Sequence, residues 1–421
     1  MQNKLWVYDE KKNEKQSVLW NIVSSGLNSV VSIFLLLMVT RINGVENAGV
    51  FSLAFSTSQL MLTIGNYGMR NYQVTDIKCK YSLYDYFSSR VITNIAMMIA
   101  VLGFVVVEKY YFEKAVITLL LCTLKITDAE DDVYGGYYQQ HGRLDISGKM
   151  MSIRIVVYVS TFLAFDLISG NLLFSVIAAV AAASIVLIIL LRSVAKVVPV
   201  NEKQIGKLKI RLLLQECFPL CMSAFLLMYL NNAAKYAIDI YLTNTEQAYY
   251  TYLFMPCFVI NLFVGFALQP LLVRISILWG EKEYNKFLRL IILIFLVALG
   301  ISAIIITGGA LVGTQILSVV FGMQLNQYRL TLVILLFGGA FFSFAVIAQI
   351  LLTIMRKQTF LLYAFIIVSI LAYFISNVLV SREGLLGAGL AYMIIAGTLF
   401  MLLLVLIIIF FYREKNKVEN I

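Results

Sequence analysis

The chain has 421 residues, of which 61% are hydrophobic and only 13% are charged, and its formal net charge is +10. Soluble domains carry roughly 25% charged residues, so a protein that keeps most of its surface in water is excluded. No basic stretch belongs to a soluble domain, so the positive charge does not indicate nucleic-acid binding. The composition predicts an integral membrane protein.

Twelve apolar stretches follow one another along the chain. They cover residues 19–40, 50–68, 91–107, 115–127, 151–165, 172–191, 212–228, 249–273, 290–306, 330–355, 360–380 and 386–411. Most reach the roughly 17–25 residues that cross about 30 Å of hydrocarbon, and a helix satisfies its backbone hydrogen bonds internally. We therefore predict an all-α protein with about twelve transmembrane helices. The further stretch 310–323 is short for a span and is interpreted as an interfacial segment.

Lysine and arginine lie mainly at alternate ends of these spans. Most of the 33 belong to the N-terminal segment or to 70–90, 143–154, 192–211, 274–289, 356–357 and 413–417. Cytoplasmic loops of membrane proteins carry such an excess of positive charge. The pattern predicts that both termini are cytoplasmic.

The basic connection 192–211 divides the spans into two sets of six. We predict two six-helix bundles, residues 1–205 and 206–421. Residues 46–53 are similar to 246–253, and both segments lie at the outer start of the second span of their half. A parallel repeat about an axis along the membrane normal would place a central cavity between two pseudo-symmetric bundles.

Polar residues form a stripe along the second span. Ser52, Ser56, Gln59, Thr63, Asn66 and Arg70 recur at spacings of three and four residues, which puts them on one helix face. The first span carries a similar set: Asn21, Ser25, Asn28 and Ser32. Such residues either join helices by hydrogen bonds, at roughly 0.6 kcal/mol each, or line a hydrated cavity. The length of the stripe favours a cavity.

The fourth stretch, 115–127, rises only about 20 Å, so polar residues must complete this span. Lys125, Asp128 and the acidic run 130–132 follow. Ionisable residues at membrane depth indicate a functional site. Alternatively, Lys125 and Asp128 neutralise each other at a three-residue spacing. Both interpretations remain open from the sequence.

Three further charged positions also allow two interpretations. Lys235 and Asp239 form either a pair that reaches the outer interface or part of a charged lining. Arg154 either extends to the lipid headgroups or contributes to the same lining.

Four segments resemble polysaccharide repeat-unit flippases, the O-antigen and capsule exporters. They are 41–49 (RINGVENAG), 67–73 (YGMRNYQ), 130–145 (EDDVYGGYYQQHGRLD) and 232–239 (NAAKYAID). The family belongs to the multidrug/oligosaccharidyl-lipid/polysaccharide (MOP) exporter superfamily. One departure is Ala234, where members often have proline.

The resemblance implies a MATE-like fold and a location in the bacterial cytoplasmic membrane. It implies export of undecaprenyl-diphosphate-linked oligosaccharides to the outer leaflet by alternating access, for surface polysaccharide synthesis. The partners implied are this lipid-linked substrate, membrane lipids and other polysaccharide-assembly proteins.

A diphosphate-linked glycan needs cationic and hydrogen-bonding groups in the cavity. The candidate substrate-binding residues are Arg70, Lys125, Arg154, Lys235, Gln59, Asn66, Asn28 and Asn232. Coupling to H⁺ or Na⁺ would use a carboxylate, and the candidates are Asp128, Glu216 and Asp239. The membrane potential is the alternative driving force. We expect no cofactor and no metal site.

Two other functions compete with this interpretation. A cation-coupled drug or organic-cation antiporter of the same superfamily should have a net acidic cavity. A membrane glycan polymerase or ligase would normally place catalytic residues on a large external loop, but residues 307–328 contain no acid, base or histidine. The single histidine, His141, is interpreted as a cytoplasmic loop residue. We therefore expect a transporter with no catalytic residues.

Overall fold

The structure, a computed structural model, describes residue 6 and residues 10–76, 80–195, 207–268 and 271–419. Within these ranges every regular element is helical. The helices of the first half are α1 (Glu10–Ile42), α2 (Val45–Asn66), α3 (Met69–Thr75), α4 (Leu83–Val107), α5 (Phe112–Gln140), α6 (Leu144–Ser169) and α7 (Leu172–Val194). Those that follow are α8 (Lys207–Tyr241), α9 (Asn244–Leu268), α10 (Leu272–Gly280), α11 (Tyr284–Gly308), α12 (Thr314–Phe321), α13 (Arg329–Ile354) and α14 (Gln358–Glu419).

The described helices include ten segments that are long and apolar enough to cross a membrane. Each of the twelve predicted stretches falls mainly within a helix. The count is lower because α5 carries too many charges, and because the last two stretches share α14, whose helical backbone is interrupted at Gly384 (φ 56°, ψ −131°). The stretch 310–323 continues α11 through one π-helical turn, Gly309–Gly313, into α12.

The chain forms two compact units, Met1–Met228 and Tyr229–Ile421. The boundary between them falls inside α8, whereas the sequence places the division in the basic connection before that helix. The two predicted bundles, 1–205 and 206–421, and their pseudo-symmetry remain predictions.

In the first unit, α2 and α5 lie at the centre of the packing. The helix α2 contacts α1, α4 and α5, and α5 also contacts α3, α6 and α7. Small buried residues on α2, including Ala48, Gly49 and Ser52, allow close approach of its neighbours. Because α5 is surrounded by other helices, its charged side chains are removed from lipid and must find partners inside the unit.

A sharp turn separates α2 from α3. Tyr67 and Gly68 both have left-handed backbone angles, with φ values of 52° and 67°. A Cβ atom added at Gly68 would lie 2.7 Å from the Cβ atom of Leu220, so this position needs glycine for space as well as for conformation. The predicted continuous stripe from Ser52 to Arg70 is therefore wrong at its end, because Arg70 belongs to α3.

The second unit is held together by apolar and aromatic packing of α9 with α11, α12, α13 and α14. The rings of Tyr252 and Phe321 stack with centroids 4.0 Å apart, and Phe254 meets Tyr392 edge to face at 4.9 Å. Such aromatic pairs add to the energy of area burial by about 0.5–1.5 kcal/mol each.

Candidate binding site in the first unit

A cavity of about 170 Å³ lies within the first unit. Its lining comes from α1, α2, α3, α5 and α6. The lining residues are Asn28, Gln59, Leu62, Asn66, Arg70, Asp128, Asp131, Asp132, Ser147, Met151 and Arg154. Six of them were candidates from the sequence, and the fold brings them together from five helices.

One ion-pair group surrounds Asp128. Lys125 Nζ lies 2.7 Å from Asp128 Oδ2, and Arg154 Nη1 contacts the other carboxylate oxygen. Arg154 Nη2 lies 3.1 Å from Oδ2 of Asp131. The pairing of Lys125 with Asp128 is thus confirmed. Extension of Arg154 to the headgroups is wrong, because its side chain is only 2% exposed and is held by carboxylates of α5.

A second ion-pair group surrounds Asp132, which binds two arginines. Its Oδ1 lies 3.1 Å from Arg70 Nη1, and its Oδ2 lies 3.0 Å from Arg90 Nη2. Arg90 is fully buried, and its Nη1 also donates to the carbonyl oxygen of Gly65 at 2.5 Å and to Asn66 Oδ1 at 3.2 Å. The side chain of Arg70 is 30% exposed, in contrast to those of Arg90, Lys125 and Arg154.

Arg90 is a functional residue that the sequence did not indicate, because it directly precedes the third apolar stretch and belongs to a basic end of that span. The signal lies in the polar residues that follow at helical spacing. Thr93 donates to the Gly65 carbonyl oxygen at 2.7 Å, and Asn94 donates to Glu130 Oε1 at 2.7 Å. One face of α4 is therefore polar and directed at α2 and α5. Asp131, Asp132 and Ser147 were also missed as lining residues.

The cavity differs in charge from the cationic lining that the sequence suggested. Each of the four cations in the network, Arg70, Arg90, Lys125 and Arg154, has a carboxylate partner on α5. A buried charge of either sign is tolerated only with such partners. Arg70 is the cation whose exposure leaves it accessible to a ligand.

The polar stripe of α2 serves two purposes. Ser52, Ser56 and Thr63 donate to backbone carbonyls of their own helix at 2.9, 2.8 and 2.6 Å. Gln59 and Asn66 instead line the cavity. The polar lining that α2 contributes is therefore smaller than the stripe in its sequence predicts, because Ser and Thr hydroxyls can bond to carbonyl oxygens of their own helix.

Glu216 lies outside this cavity. It accepts hydrogen bonds from Tyr72 at 2.5 Å, Lys80 at 2.7 Å and Tyr81 at 3.0 Å. The hydrogen bond to Glu216 raises the pKa of Lys80. Through these hydrogen bonds Glu216 connects the first part of α8 to α3 and to the segment before α4.

The remaining candidates belong to the second unit. Asn232 and Lys235 are buried on α8, and Lys235 Nζ lies 5.4 Å from the centre of the Phe254 ring. Asp239 is partly exposed one turn further on. Burial of Lys235 against an aromatic face does not agree with extension of its side chain to an interface.

The described residues include no group of three or more His, Cys, Asp or Glu side chains positioned to hold a metal ion. In the cavity, Asp128, Asp131 and Asp132 are each bound to lysine or arginine. Each of these carboxylates thus has a cationic partner on at least one oxygen.

The fold is that of the MOP superfamily transporters, and the chain is a multi-pass membrane protein. The structure is similar to lipid II flippase MurJ in an inward closed conformation, with a TM-score of 0.70 and 14% identity over 94% of this chain and 90% of that chain.

Two MATE transporters show the same fold. An inward-facing multidrug resistance MATE family transporter has a TM-score of 0.63 and 12% identity over 97% of both chains. The Vibrio cholerae MATE transporter VcmN has a TM-score of 0.60 and 15% identity over 97% of this chain and 98% of that chain. No family model and no curated protein matches the sequence. The predicted MATE-like fold is confirmed, and the narrower resemblance to polysaccharide flippases stays a prediction.

Proposed function

We propose that the protein is a flippase for undecaprenyl-diphosphate-linked oligosaccharide repeat units. It moves them from the inner to the outer leaflet of the bacterial cytoplasmic membrane by alternating access, for surface polysaccharide synthesis. The observation that carries this proposal is the accessible guanidinium of Arg70 at a polar cavity among membrane-spanning helices. The similarity of the fold to a lipid II flippase supports it.

The chemistry of the cavity suits the head of such a lipid. A guanidinium binds phosphate oxygens through two parallel hydrogen bonds, more specifically than an ammonium does. The amides of Asn28, Gln59 and Asn66 line the same space and can bond to phosphate or sugar oxygens. In this proposal the apolar tail stays in lipid while the head passes through the protein.

The size of the cavity limits what this conformation holds. A volume of about 170 Å³ equals that of about six water molecules at roughly 30 Å³ each. A diphosphate is of this order, whereas an oligosaccharide is not. Passage of the glycan therefore requires a more open conformation, as alternating access provides.

The orientation and the energy source belong to the same proposal. With both termini in the cytoplasm, outward movement of each negative charge gains about 2.3 kcal/mol per 100 mV of inside-negative potential. Coupling to H⁺ or Na⁺ through Asp128, Glu216 or Asp239 is the alternative. The protein acts as a transporter, without a cofactor, and other polysaccharide-assembly proteins are its proposed partners.

Deletion of the gene tests this function. We expect surface polysaccharide to be lost and lipid-linked units to accumulate in the inner leaflet. The unmodified gene and Arg192→Ala, which removes an exposed arginine of the same unit, should restore export. Arg70→Ala should fail to restore it, and Arg70→Lys should restore it partly. Normal surface glycan in the deletion strain would refute the proposal.

Three carboxylates on the cavity wall, Asp128, Asp131 and Asp132, favour a second candidate function. A cation-coupled drug antiporter would use such acidic residues to bind its substrate. In that case the deletion strain would become sensitive to cationic drugs and keep its surface glycan. Drug sensitivity measured in parallel with the glycan assay separates the two functions.

A further inference from the structure

The two arginines that share Asp132 differ in how firmly they are held. Arg90 is fully buried and keeps two further hydrogen-bond acceptors, the Gly65 carbonyl oxygen and Asn66 Oδ1. Arg70 is partly exposed, and its other contacts are with neutral groups at 3.3 Å from Gln139 Oε1 and 3.4 Å from Ser147 Oγ. An incoming anion can therefore reach Arg70 but not Arg90.

We propose that Asp132 is a resident counter-anion that competes with the ligand for Arg70. The phosphate group of the ligand takes the place of Asp132 Oδ1 on the guanidinium of Arg70, while Oδ2 stays on Arg90. The exchange releases one charged hydrogen bond for each one formed. Identification of the anion as a lipid diphosphate rests on the proposed function, whereas the exchange itself does not.

Local packing allows this exchange. Arg70 lies on the short helix α3, directly after the turn at Tyr67 and Gly68, rather than on a long helix. A Cβ atom at Gly135 would approach Arg70 Nη1 to 3.3 Å and Ser147 Oγ to 2.6 Å. The absence of a side chain at Gly135 thus leaves room for the guanidinium beside α5.

A resident counter-anion lowers the affinity for the ligand. The apparent affinity falls by the fraction of molecules in which Arg70 is free of Asp132. The same carboxylate speeds release, because it rebinds Arg70 as the ligand leaves. Such a balance suits a carrier, which must let go of its substrate after moving it.

Binding of inorganic pyrophosphate to the purified full-length protein in lipid nanodiscs tests the exchange. Relative to the unmodified protein, we expect Asp132→Asn to lower the dissociation constant about fivefold to tenfold, because Arg70 no longer has a competing anion. We expect Arg70→Ala to abolish binding. The double variant Arg70→Ala/Asp132→Asn should behave like Arg70→Ala alone.

Asp131→Asn is the matched control, since Asp131 lies on the same cavity wall but binds Arg154 rather than Arg70. This variant should change the dissociation constant clearly less than Asp132→Asn. If both substitutions strengthen binding equally, the effect is general electrostatics and the exchange is refuted. It is also refuted if Asp132→Asn does not strengthen binding, or does so without Arg70.

Loss of Asp132 leaves the buried Arg90 without its carboxylate, so Asp132→Asn can fail to fold. The double variant Arg90→Gln/Asp132→Asn removes both charges of this ion pair together and should show the same gain in affinity. If surface glycan stays normal in the deletion strain but Asp132→Asn strengthens pyrophosphate binding, the proposed function is overturned and the exchange stands. If the deletion strain loses surface glycan but Asp132→Asn does not strengthen pyrophosphate binding, the exchange is overturned and the proposed function stands.

Discussion

Nη2 of Arg154, on α6, lies 3.1 Å from Oδ2 of Asp131, on α5, and both side chains are buried. The same guanidinium also binds Asp128, so one arginine bridges two carboxylates of the cavity wall. Buried ion pairs of this kind contribute little when complete, but loss of one partner leaves an uncompensated charge. Of the residues in the network, Arg154 is therefore the one whose loss should destabilise the protein most.

Arg154→Ala should lower the free energy of unfolding by about 3 kcal/mol or more, because Asp131 would lose the arginine that pairs with it. Thermal unfolding in detergent measures this. Arg192→Ala, at an exposed position of α7, should change the free energy of unfolding by less than about 0.5 kcal/mol. Equal melting temperatures for the two variants would show that the buried pairs do not support the fold.

Gly135→Ala should weaken pyrophosphate binding and reduce export. The new methyl group would lie 2.6 Å from Ser147 Oγ and 3.3 Å from Arg70 Nη1, so these side chains must move. Adding Ser147→Ala removes the closer atom and should restore part of the binding. Gly103→Ala on α4 is the control: no atom lies within 4 Å of its added Cβ, and it should stabilise the helix by up to about 1 kcal/mol. If Ser147→Ala brings no recovery, crowding at Ser147 is not the cause of the defect.

Gly148→Ala should destabilise the first unit by about 1–3 kcal/mol through overpacking between α6 and α1. Its added Cβ would lie 2.6 Å from the carbonyl oxygen of Trp20, which is a backbone atom and cannot rotate away. Gly26→Ala on α1, with no atom within 4 Å, should have no such effect. The measurement is again the melting temperature in detergent, and similar values for both variants would contradict the close approach at Gly148.

Glu216→Ala should loosen the first part of α8. Glu216 accepts hydrogen bonds from Tyr72, Lys80 and Tyr81, and the next residue, Cys217, is buried. In a protein whose other cysteines are replaced, the substitution should raise the rate at which a thiol reagent labels Cys217. Glu281→Ala, at an exposed carboxylate beyond α10, is the control. Unchanged labelling would show that Glu216 does not hold this part of α8 in place.

Much of the fold could be predicted because apolar stretches of membrane length leave few alternatives to helices. The Lys125–Asp128 pair was also accessible, since both residues lie on one helix with a fixed spacing. The contacts of Arg154 with α5 and of Arg90 with Asp132 were not, because each joins residues of two different helices. The spacing of residues along one helix gives no information on which residues of another helix pack against them.

The sequence by itself determined that this is a helical membrane protein whose second and fourth predicted spans are not uniformly apolar. Composition and helical periodicity depend only on local order, so both can be read along the chain. Only the tertiary structure decided that Arg70 follows a turn, that Arg90 shares Asp132 with it, and that the cavity is a network of ion pairs rather than a cationic surface. Those features depend on which side chains the packing brings within hydrogen-bond distance, and in a low-dielectric interior that pairing decides which charge remains accessible to a ligand.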